Sequence, residues 1–329
     1  VDADVLVVGA GLSGLVTART VQAAGLTVIV LDKGRSVGGR LATRRIAGGM
    51  ADHGAQFFTA RTPEFQAEID AWMREGLVMI WGYGWSDGSL KRTAGDGNPR
   101  YVVQGGMNEL AKRLAADLET VHTNMRVIEI DRIDAGWRVV AEGETVFTAR
   151  ALLMTPPVPQ TIELLHEVPL HEDDVAALDR IQYGPCLAGI HAIEGDIDLP
   201  EPGALQDFQR EIYWIADNQR KGISSVRIIT THAGARWSRQ HYDEPDKETL
   251  EALRATFEPF LSPGARIIEE QLKKWRYSVP LVTHPRDTLV ARGLPLAFAG
   301  DAFGGRGRVE GAYISGMAAG EALIDLLDV

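Results

Sequence analysis

The stretch "DADVLVVGAGLSGLVTARTVQAAGLTVIVLD", residues 2–32, constrains the chain most. A short β-rich apolar run ends in glycines, a segment with helical spacing closes on Gly25, and a second apolar run follows. Strand, helix, strand in that order predicts a parallel βαβ unit with a right-handed crossover. Gly9, Gly11 and Gly14 form G-x-G-x-x-G where the first strand meets the helix. The first glycine makes the tight turn, the second admits a pyrophosphate, and the third lets helix and strand pack closely. Helix amides then face the phosphates, and the helix dipole favours their charge. Asp32, ending the second strand, is placed for ribose hydroxyls and would repel a 2′-phosphate, so FAD or NAD fits better than NADP.

The buried-strand pattern returns in "ARALLMT", stopped by Pro156 and Pro157, and in "LPLAFAGD", ahead of a long helix over 309–327. Pro63 and Gly76 bracket another helix, and Met107, Leu110, Leu114 and Leu118 mark one face of a further one. Residues 127–147 read as a small antiparallel meander, with "ARALLMT" as a separate strand after it. The middle of the chain is mixed, with strands in "CLAGIHAI" and "VRIITTHA" and a helix in "DKETLEALRATFEPFL". The expected fold is α/β: a discontinuous Rossmann-like nucleotide domain (1–60, 101–160 and 286–329) and a mixed α+β substrate or cap domain (61–100 and 161–285).

Several function classes are disfavoured. The formal net charge is −11 with no long block of like charge, which argues against nucleic-acid or anionic membrane partners. Eight scattered histidines lack metal-ligand spacing, so no metal is expected. The lone Cys186 reads as a small buried apolar residue and suits a reducing, cytoplasmic setting, and no apolar run is long enough to span a membrane. "GWSDG" at 84–88 matches a nucleophile elbow, but no helical pattern follows Ser86, so a hydrolase is not expected. No second G-x-G-x-x-G offers a separate nicotinamide fold.

"KGRSVGGRLATRR" adds Gly38, Gly39 and Arg40, an arrangement that can bring a guanidinium to phosphate and that favours FAD. With "DHGAQFF", "GGMNELAKRL", "LLMTPPVP" and "AGDAFGGRGRVEGAYISG", the chain resembles the FAD-dependent amine oxidase superfamily. "DHGAQFFTA", "WIADNQRKG", "RWSRQHYD", "KKWRYS" and "GRVEGAYISG" make it most similar to its renalase-like bacterial group. The resemblance implies a non-covalent FAD. Gly9, Gly11, Ser13 and Gly14 would lie at the pyrophosphate, Asp32 at the adenosine ribose, Arg40 at the phosphates and the Val127 backbone at adenine, with Lys33 and Gly39 also among the cofactor-binding residues. Gln56 and Phe57 would lie along the flavin, Asp301 at the ribityl and phosphate region, and the Val309 backbone at the flavin pyrimidine edge, with Gly300 and Ala312 also among the cofactor-binding residues. A helix starting near Val309 would aim its free amides at that edge and stabilise negative charge on the reduced ring.

Amine oxidases of this superfamily place an aromatic ring where this chain has Arg308. A cation there repels a protonated amine and suits a carboxamide, carboxylate or phosphate. The resemblance thus implies a renalase-type oxidoreductase, passing a hydride from a dihydronicotinamide isomer to flavin N5, with O2 as electron acceptor and hydrogen peroxide as product. Such a reaction needs alignment more than a strong base. The pocket candidates are Trp275 and Tyr277 for stacking and Asp217, Asn218 and Arg308 for polar orientation; core packing and turn formation are the alternatives for the first four. The rival functions are an amine oxidase or desaturase on another small substrate, and an FAD-holding protein without turnover.

Overall fold

The computed structural model describes residues 1–86 and 96–327. The chain divides into two compact units, Val1–Arg40 with Leu110–Gln182 and Pro280–Val329, and Leu41–Glu109 with Tyr183–Val279.

The first unit carries an eight-stranded sheet. Its main path runs Leu289–Val290, Leu296–Phe298, Thr145–Met154, Ala3–Val8, Val28–Leu31 and Val121–His122. Ala3–Val8 lies parallel to Val28–Leu31 (Val5↔Val28, Val8↔Leu31) and to the end of Thr145–Met154 (Val5↔Ala151, Val8↔Met154). These central strands are buried on both faces, as their unbroken apolar runs require of a parallel sheet with helices on each side. The meander is present as Val127–Ile133, Gly136–Ala141 and the start of Thr145–Met154. "ARALLMT" is no separate strand: ten continuous residues pair antiparallel with Gly136–Ala141 at one end and parallel with Ala3–Val8 at the other. A strand offers two edges, and no break in the apolar pattern is needed for it to change partner along its length.

The crossover helix Leu12–Ala23 packs on the last helix, Arg308–Leu326. A Cβ at Gly316 would come 2.5 Å from the Ser13 carbonyl oxygen, and Thr17 Oγ1 donates to the Gly316 carbonyl at 2.7 Å. Missing side chains on one helix therefore set how closely the phosphate-facing helix can be held.

The second unit has a five-stranded sheet in the order Ala204–Gln206, Ile212–Asp217, Ile228–Ala233, Gln182–Glu194, Arg266–Val282. Ile193, Leu199, Ile215, Ile229 and Phe257 form an apolar cluster on it. Two hairpins accompany it, Thr43–Ile46 with Gly49–Asp52 and Val78–Gly82 with Arg100–Val103. Pro63–Arg74 is helical with Thr62 Oγ1 accepting from the Phe65 amide. The helix carrying Leu110 and Leu114 is Asn108–Ala116, which ends before Leu118 and belongs to the first unit from Leu110 on.

The division between units differs from the expected boundaries. Residues 41–60 and 101–109 fall in the second unit, because Ile46 and Ala51 of the first hairpin pack on Ile190 and Ile228 of the five-stranded sheet. Residues 161–182 fall in the first, where Asp174 Oδ2 accepts from the Arg292 amide at 2.8 Å. Among the described residues no helix is long and apolar enough to cross a membrane.

Candidate functional site

In the first unit the glycine motif sits as its spacing demands. Gly9 has φ +105°, a conformation closed to most other residues, and its amide donates to the Leu31 carbonyl at 2.7 Å. A Cβ at Gly14 would collide with the Gly9 carbonyl oxygen, whereas a Cβ at Gly11 would meet no protein atom within 4 Å. Gly11 caps the Leu12–Ala23 helix with no side-chain hydrogen bond, so the amides of that first turn, Ser13's among them, face the open side. The Gly38-Gly39-Arg40 segment closes over this turn, with the Gly38 amide donating to the Ala10 carbonyl at 2.8 Å and Gly39 at φ +50°.

Asp32 is fixed by two backbone amides, Ala10 to Oδ2 at 2.7 Å and Gly34 to Oδ1 at 2.6 Å. Lys33 Nζ donates to Gln160 Oε1 at 3.2 Å, and partial burial with the nearby Arg126 holds its ammonium below the usual lysine range. Val127 begins its strand, buried. Arg40 and Asp301, 261 residues apart, form a two-pronged ion pair: Nη1 to Oδ2 at 2.8 Å and Nη2 to Oδ1 at 2.5 Å. The sequence assigned these residues separate tasks; the fold makes them one fork-to-fork unit. Next to them the Gly300 amide donates to Ser315 Oγ at 2.9 Å. The last helix begins at Arg308, capped by Gly307 without a side-chain hydrogen bond; Val309 is buried and Ala312 half-buried. Arg308 is exposed, has φ +63°, and has no side-chain hydrogen bond or carboxylate partner among the described residues.

In the second unit Asp52 organises the "DHGAQFF" segment. Its carboxylate takes Lys221 Nζ at 2.5 Å, Thr43 Oγ1 at 2.5 Å and the Met107 amide at 2.8 Å, and the Lys221–Asp52 pair is 0% exposed on both sides. Its carbonyl accepts from Gln56 Nε2 at 2.7 Å and Thr230 Oγ1 at 2.9 Å. Gln56 Oε1 accepts from the Trp214 indole at 3.2 Å, and its Nε2 lies 3.4 Å from His232 Nε2. Phe57 joins Trp85 (5.0 Å between centroids) and Trp214 (5.4 Å) in an aromatic cluster with Trp81. Trp275 and Tyr277 stand on one face of Arg266–Val282, both half-buried: Trp275 stacks on His53 at 5.3 Å, and Tyr277 meets Tyr183 edge-on at 5.8 Å.

Two pocket candidates are corrected. Asp217 and Asn218 are fully buried in the second unit with their polar atoms engaged. Asp217 takes Arg227 Nε at 3.1 Å and the Gln219 amide at 2.9 Å; Asn218 donates to the Ile228 carbonyl and Thr230 Oγ1, each at 2.9 Å, and accepts from the Asp52 amide at 3.2 Å. Nothing is left on either to orient a substrate. They tie the Asp52 segment and the Arg227 strand in place. "GWSDG" lies partly outside the described residues, but Ser86 is buried beside Leu205 rather than presented on an elbow.

Residues 73–324 match the flavin containing amine oxidoreductase family, and residues 7–73 match an NAD(P)-binding Rossmann-like domain. The chain belongs to the flavin containing amine oxidoreductase family. A 70-residue stretch is 41% identical to putrescine oxidase of Kocuria rosea, covering 21% of this chain and 15% of that protein. Among solved structures, cyclohexylamine oxidase from Brevibacterium oxydans superposes with a TM-score of 0.77 at 14% identity over 100% of both chains. A putative protoporphyrinogen oxidase from Exiguobacterium gives 0.74 at 15% over 98% of both chains. A putrescine oxidase variant gives 0.73 at 16% over 98% of this chain and 99% of that one. At those identities the superpositions establish a shared fold, and the family match makes FAD the cofactor of this flavin-containing oxidoreductase.

The first unit fits that cofactor. Open space at Gly11, two helix starts without side-chain caps, and a carboxylate set at the end of the second strand are what a dinucleotide needs from a protein. Arg40 brings its charge to this cradle already paired, in a fork whose orientation Asp301 fixes.

Sequence reading missed Lys221, His53 and His232 as a connected group. "DHGAQFF" and "WIADNQRKG" pointed near them, but nothing local marks a lysine as buried. Burial dominates both histidines, lowering His53 to about 3, with Lys273 and His232 adding to the effect, and His232 to about 4. In the unfolded chain each binds a proton near pH 6.5. The unfolded state therefore holds more protons between about pH 6.5 and 4, and stability falls as pH falls through that window. Acid unfolding followed by circular dichroism is expected to lose about 1.4 kcal/mol per pH unit for each histidine there, the His53 share disappearing in His53→Leu. A flat stability profile between pH 6.5 and 4.5 would contradict the neutral, buried state of both rings.

Proposed function

We propose that the protein is a renalase-type, FAD-dependent oxidoreductase that oxidises a dihydronicotinamide isomer or a similar small nitrogen heterocycle. Bound FAD supplies the two-electron acceptor for the hydride, and molecular oxygen turns it over with release of hydrogen peroxide. The observation that carries this reading is Arg308: an exposed guanidinium at the first residue of the last helix, without a carboxylate partner among the described residues. A protonated amine meets repulsion there, while a carboxamide or phosphate oxygen meets a planar donor. The protein groups around Gln56 add weak bases only, since His53 and His232 are held neutral by burial. Donors that already carry a transferable hydride tolerate that, because their oxidation depends on alignment.

The cofactor assignments follow the same reading. The glycine turn with Ser13 holds the pyrophosphate, Asp32 and Lys33 the ribose, Gly39 and Arg40 the phosphates, and the Val127 backbone the adenine. Gly300 and Asp301 hold the ribityl region, Val309 and Ala312 the pyrimidine edge, and Gln56 and Phe57 the ring; Trp275, Tyr277 and Arg308 remain the substrate candidates. A second reading, oxidation of a small amine, draws on the aromatic cluster of Phe57, Trp81, Trp85 and Trp214 and on the amine oxidases among the relatives.

Anaerobic mixing decides between them. Dihydronicotinamide isomers are expected to bleach the flavin band near roughly 450 nm, and putrescine or cyclohexylamine to leave it. Bleaching by the amines alone would transfer the assignment to amine oxidation, and bleaching by neither would leave an FAD-binding protein without this turnover. Arg308→Tyr is expected to lower kcat/KM for the isomers about tenfold, the worth of one charge-assisted hydrogen bond.

A further inference from the structure

The strand Arg266–Val282 ends the second unit's five-stranded sheet, with Gln182–Glu194 on one side of it and, among the described residues, no strand on the other. The strands inside that sheet are sealed: Ile228–Ala233 is buried throughout and Gln182–Glu194 almost throughout. No residue of Arg266–Val279 is buried, and Ile268 and Val279 are 53% and 45% exposed. A long free edge of main-chain donors and acceptors is a template for another strand.

The charges along this edge are ordered: Glu269, Glu270, Gln271, Leu272, Lys273, Lys274. Read in the opposite direction, each sign is exchanged. Glu269, Gln271 and Lys273 share one face of the strand. On that face Glu269 Oε2 accepts from the Ala47 amide and Oε1 from Gln271 Nε2, each at 3.2 Å, while Lys273 Nζ donates to Gln271 Oε1 at 3.1 Å. Neither Glu269 nor Lys273 has an ion-pair partner among the described residues. On the other face the charges are already answered, Glu270 by His191 at 2.7 Å and Arg254 at 3.2 Å, and Lys274 by Asp246 at 3.0 Å. Partial burial, with the Arg44 charge adding to it, holds Lys273 below the usual lysine range, and a carboxylate brought opposite would relieve this.

We propose that a second copy of this chain pairs with this edge, strand to antiparallel strand, about a two-fold axis at Gln271. Such an axis stands perpendicular to the sheet, and residues equally far from Gln271 in the two copies come opposite each other on one face. Glu269 then meets the partner's Lys273, and Lys273 the partner's Glu269, at about 4.5–5.5 Å between Cβ atoms. Ile267 meets the partner's Trp275, and the stem of the partner's Lys274 covers the exposed Ile268. Centring on Glu270 or on Lys273 would set like charges against each other, and centring on Leu272 would use Glu270 and Lys274, which have their own partners. The paired span runs 266–276. Arg266 and Arg276 face each other at its ends, and each is engaged within its own chain, Arg266 by Glu194 at 2.6 Å and Arg276 over the Tyr242 ring at 4.8 Å. Pro280, which has no amide to donate, lies outside the span.

Sedimentation equilibrium of the FAD-loaded protein tests this. One strand pair makes an interface at the small end, so a dissociation constant of about 1–50 μM is expected, weakening as salt rises. Glu269→Lys and Lys273→Glu each set like charges opposite in both symmetry-related pairs and should weaken self-association roughly 30-fold or more. An equimolar mixture of these two variants should recover the parent's affinity, because every pair across a mixed dimer is again of opposite sign. Amide hydrogen exchange over residues 266–276 should slow as the protein dimerises. A parent that keeps the mass of one chain at about 0.2 mM, well above the expected constant, would overturn the proposal. So would single variants that dimerise like the parent, a mixture that does not associate, or strand amides indifferent to a doubling of mass. Should a reversed charge disturb the fold, as flavin content and circular dichroism would report, Glu269→Gln and Lys273→Gln test the same pairs. Each should weaken association about fivefold, and no change in either sinks the register.

Discussion

Gly11→Ala is expected to leave the fold intact and to strip the protein of FAD. Gly11 has φ −73°, which alanine adopts without strain, and its added methyl group would meet no protein atom within 4 Å. Thermal stability of the flavin-free form should therefore stay within about 0.5 kcal/mol of the parent. The methyl group would instead occupy the open side toward which the uncapped amides of Leu12 and Ser13 point. Displacing a pyrophosphate from two charge-assisted hydrogen bonds, at about 1.5–3 kcal/mol each, weakens binding by roughly 10²–10⁴-fold. The ratio of flavin to protein absorbance after purification, and a titration of the flavin-free protein with FAD, read this directly. Gly14→Ala makes the contrast: its methyl group collides with the Gly9 carbonyl and presses on Val7, so that variant should lose stability as well as cofactor. Should Gly11→Ala bind FAD like the parent, the pyrophosphate does not lie at this turn.

The second large effect is expected at Lys221, far from any glycine motif. Lys221→Ala leaves the Asp52 carboxylate buried with Thr43 and the Met107 amide but without its cation. Breaking a buried pair from one side costs about 3–5 kcal/mol, because the remaining charge has neither water nor partner. For a unit of this size that corresponds to a melting point lowered by roughly 6–20 °C. The loss should spread to Gln56 and Thr230, which both bond to the Asp52 carbonyl. Asp52→Asn combined with Lys221→Met is expected to be less damaging than the sum of its parts, since neither partner is then left charged. A melting point for Lys221→Ala within a degree or two of the parent would mean that Asp52 is already neutral or solvated.

The two regions differ in how far sequence reading reached. The glycine turn was legible because its geometry is local: Gly9, Gly11 and Gly14 answer to one turn and the start of one helix, Gly9 through its φ of +105°, Gly14 through the Gly9 carbonyl against which it packs, and Gly11 through the space it leaves open. The same holds for the flanking strands, whose apolar runs fix burial on both faces, and for the helix that Thr62 and Pro63 start. Asp217 and Asn218 show the limit. "DNQRKG" has turn composition, and a turn does begin there, but the same residues serve equally as exposed ligands or as a sealed network. The neighbouring strand Ile228–Ala233 decided for the network by supplying carbonyl and hydroxyl partners.

By itself, then, the sequence determined the βαβ start, the dinucleotide cradle, the order of the main elements and the chemistry offered by Arg308, all of which depend on spacing within short windows. Tertiary structure alone decided that Arg40 meets Asp301 across 261 residues and that Lys221 is sealed against Asp52 across 169. It also decided that Arg44 and Lys273 share one amide oxygen beside an unpartnered imidazole. The reason is physical: a side chain's type fixes which bonds it can make, but burial and partners come from strands distant in sequence, and only they decide whether a charge is paired, sealed or left open to a ligand.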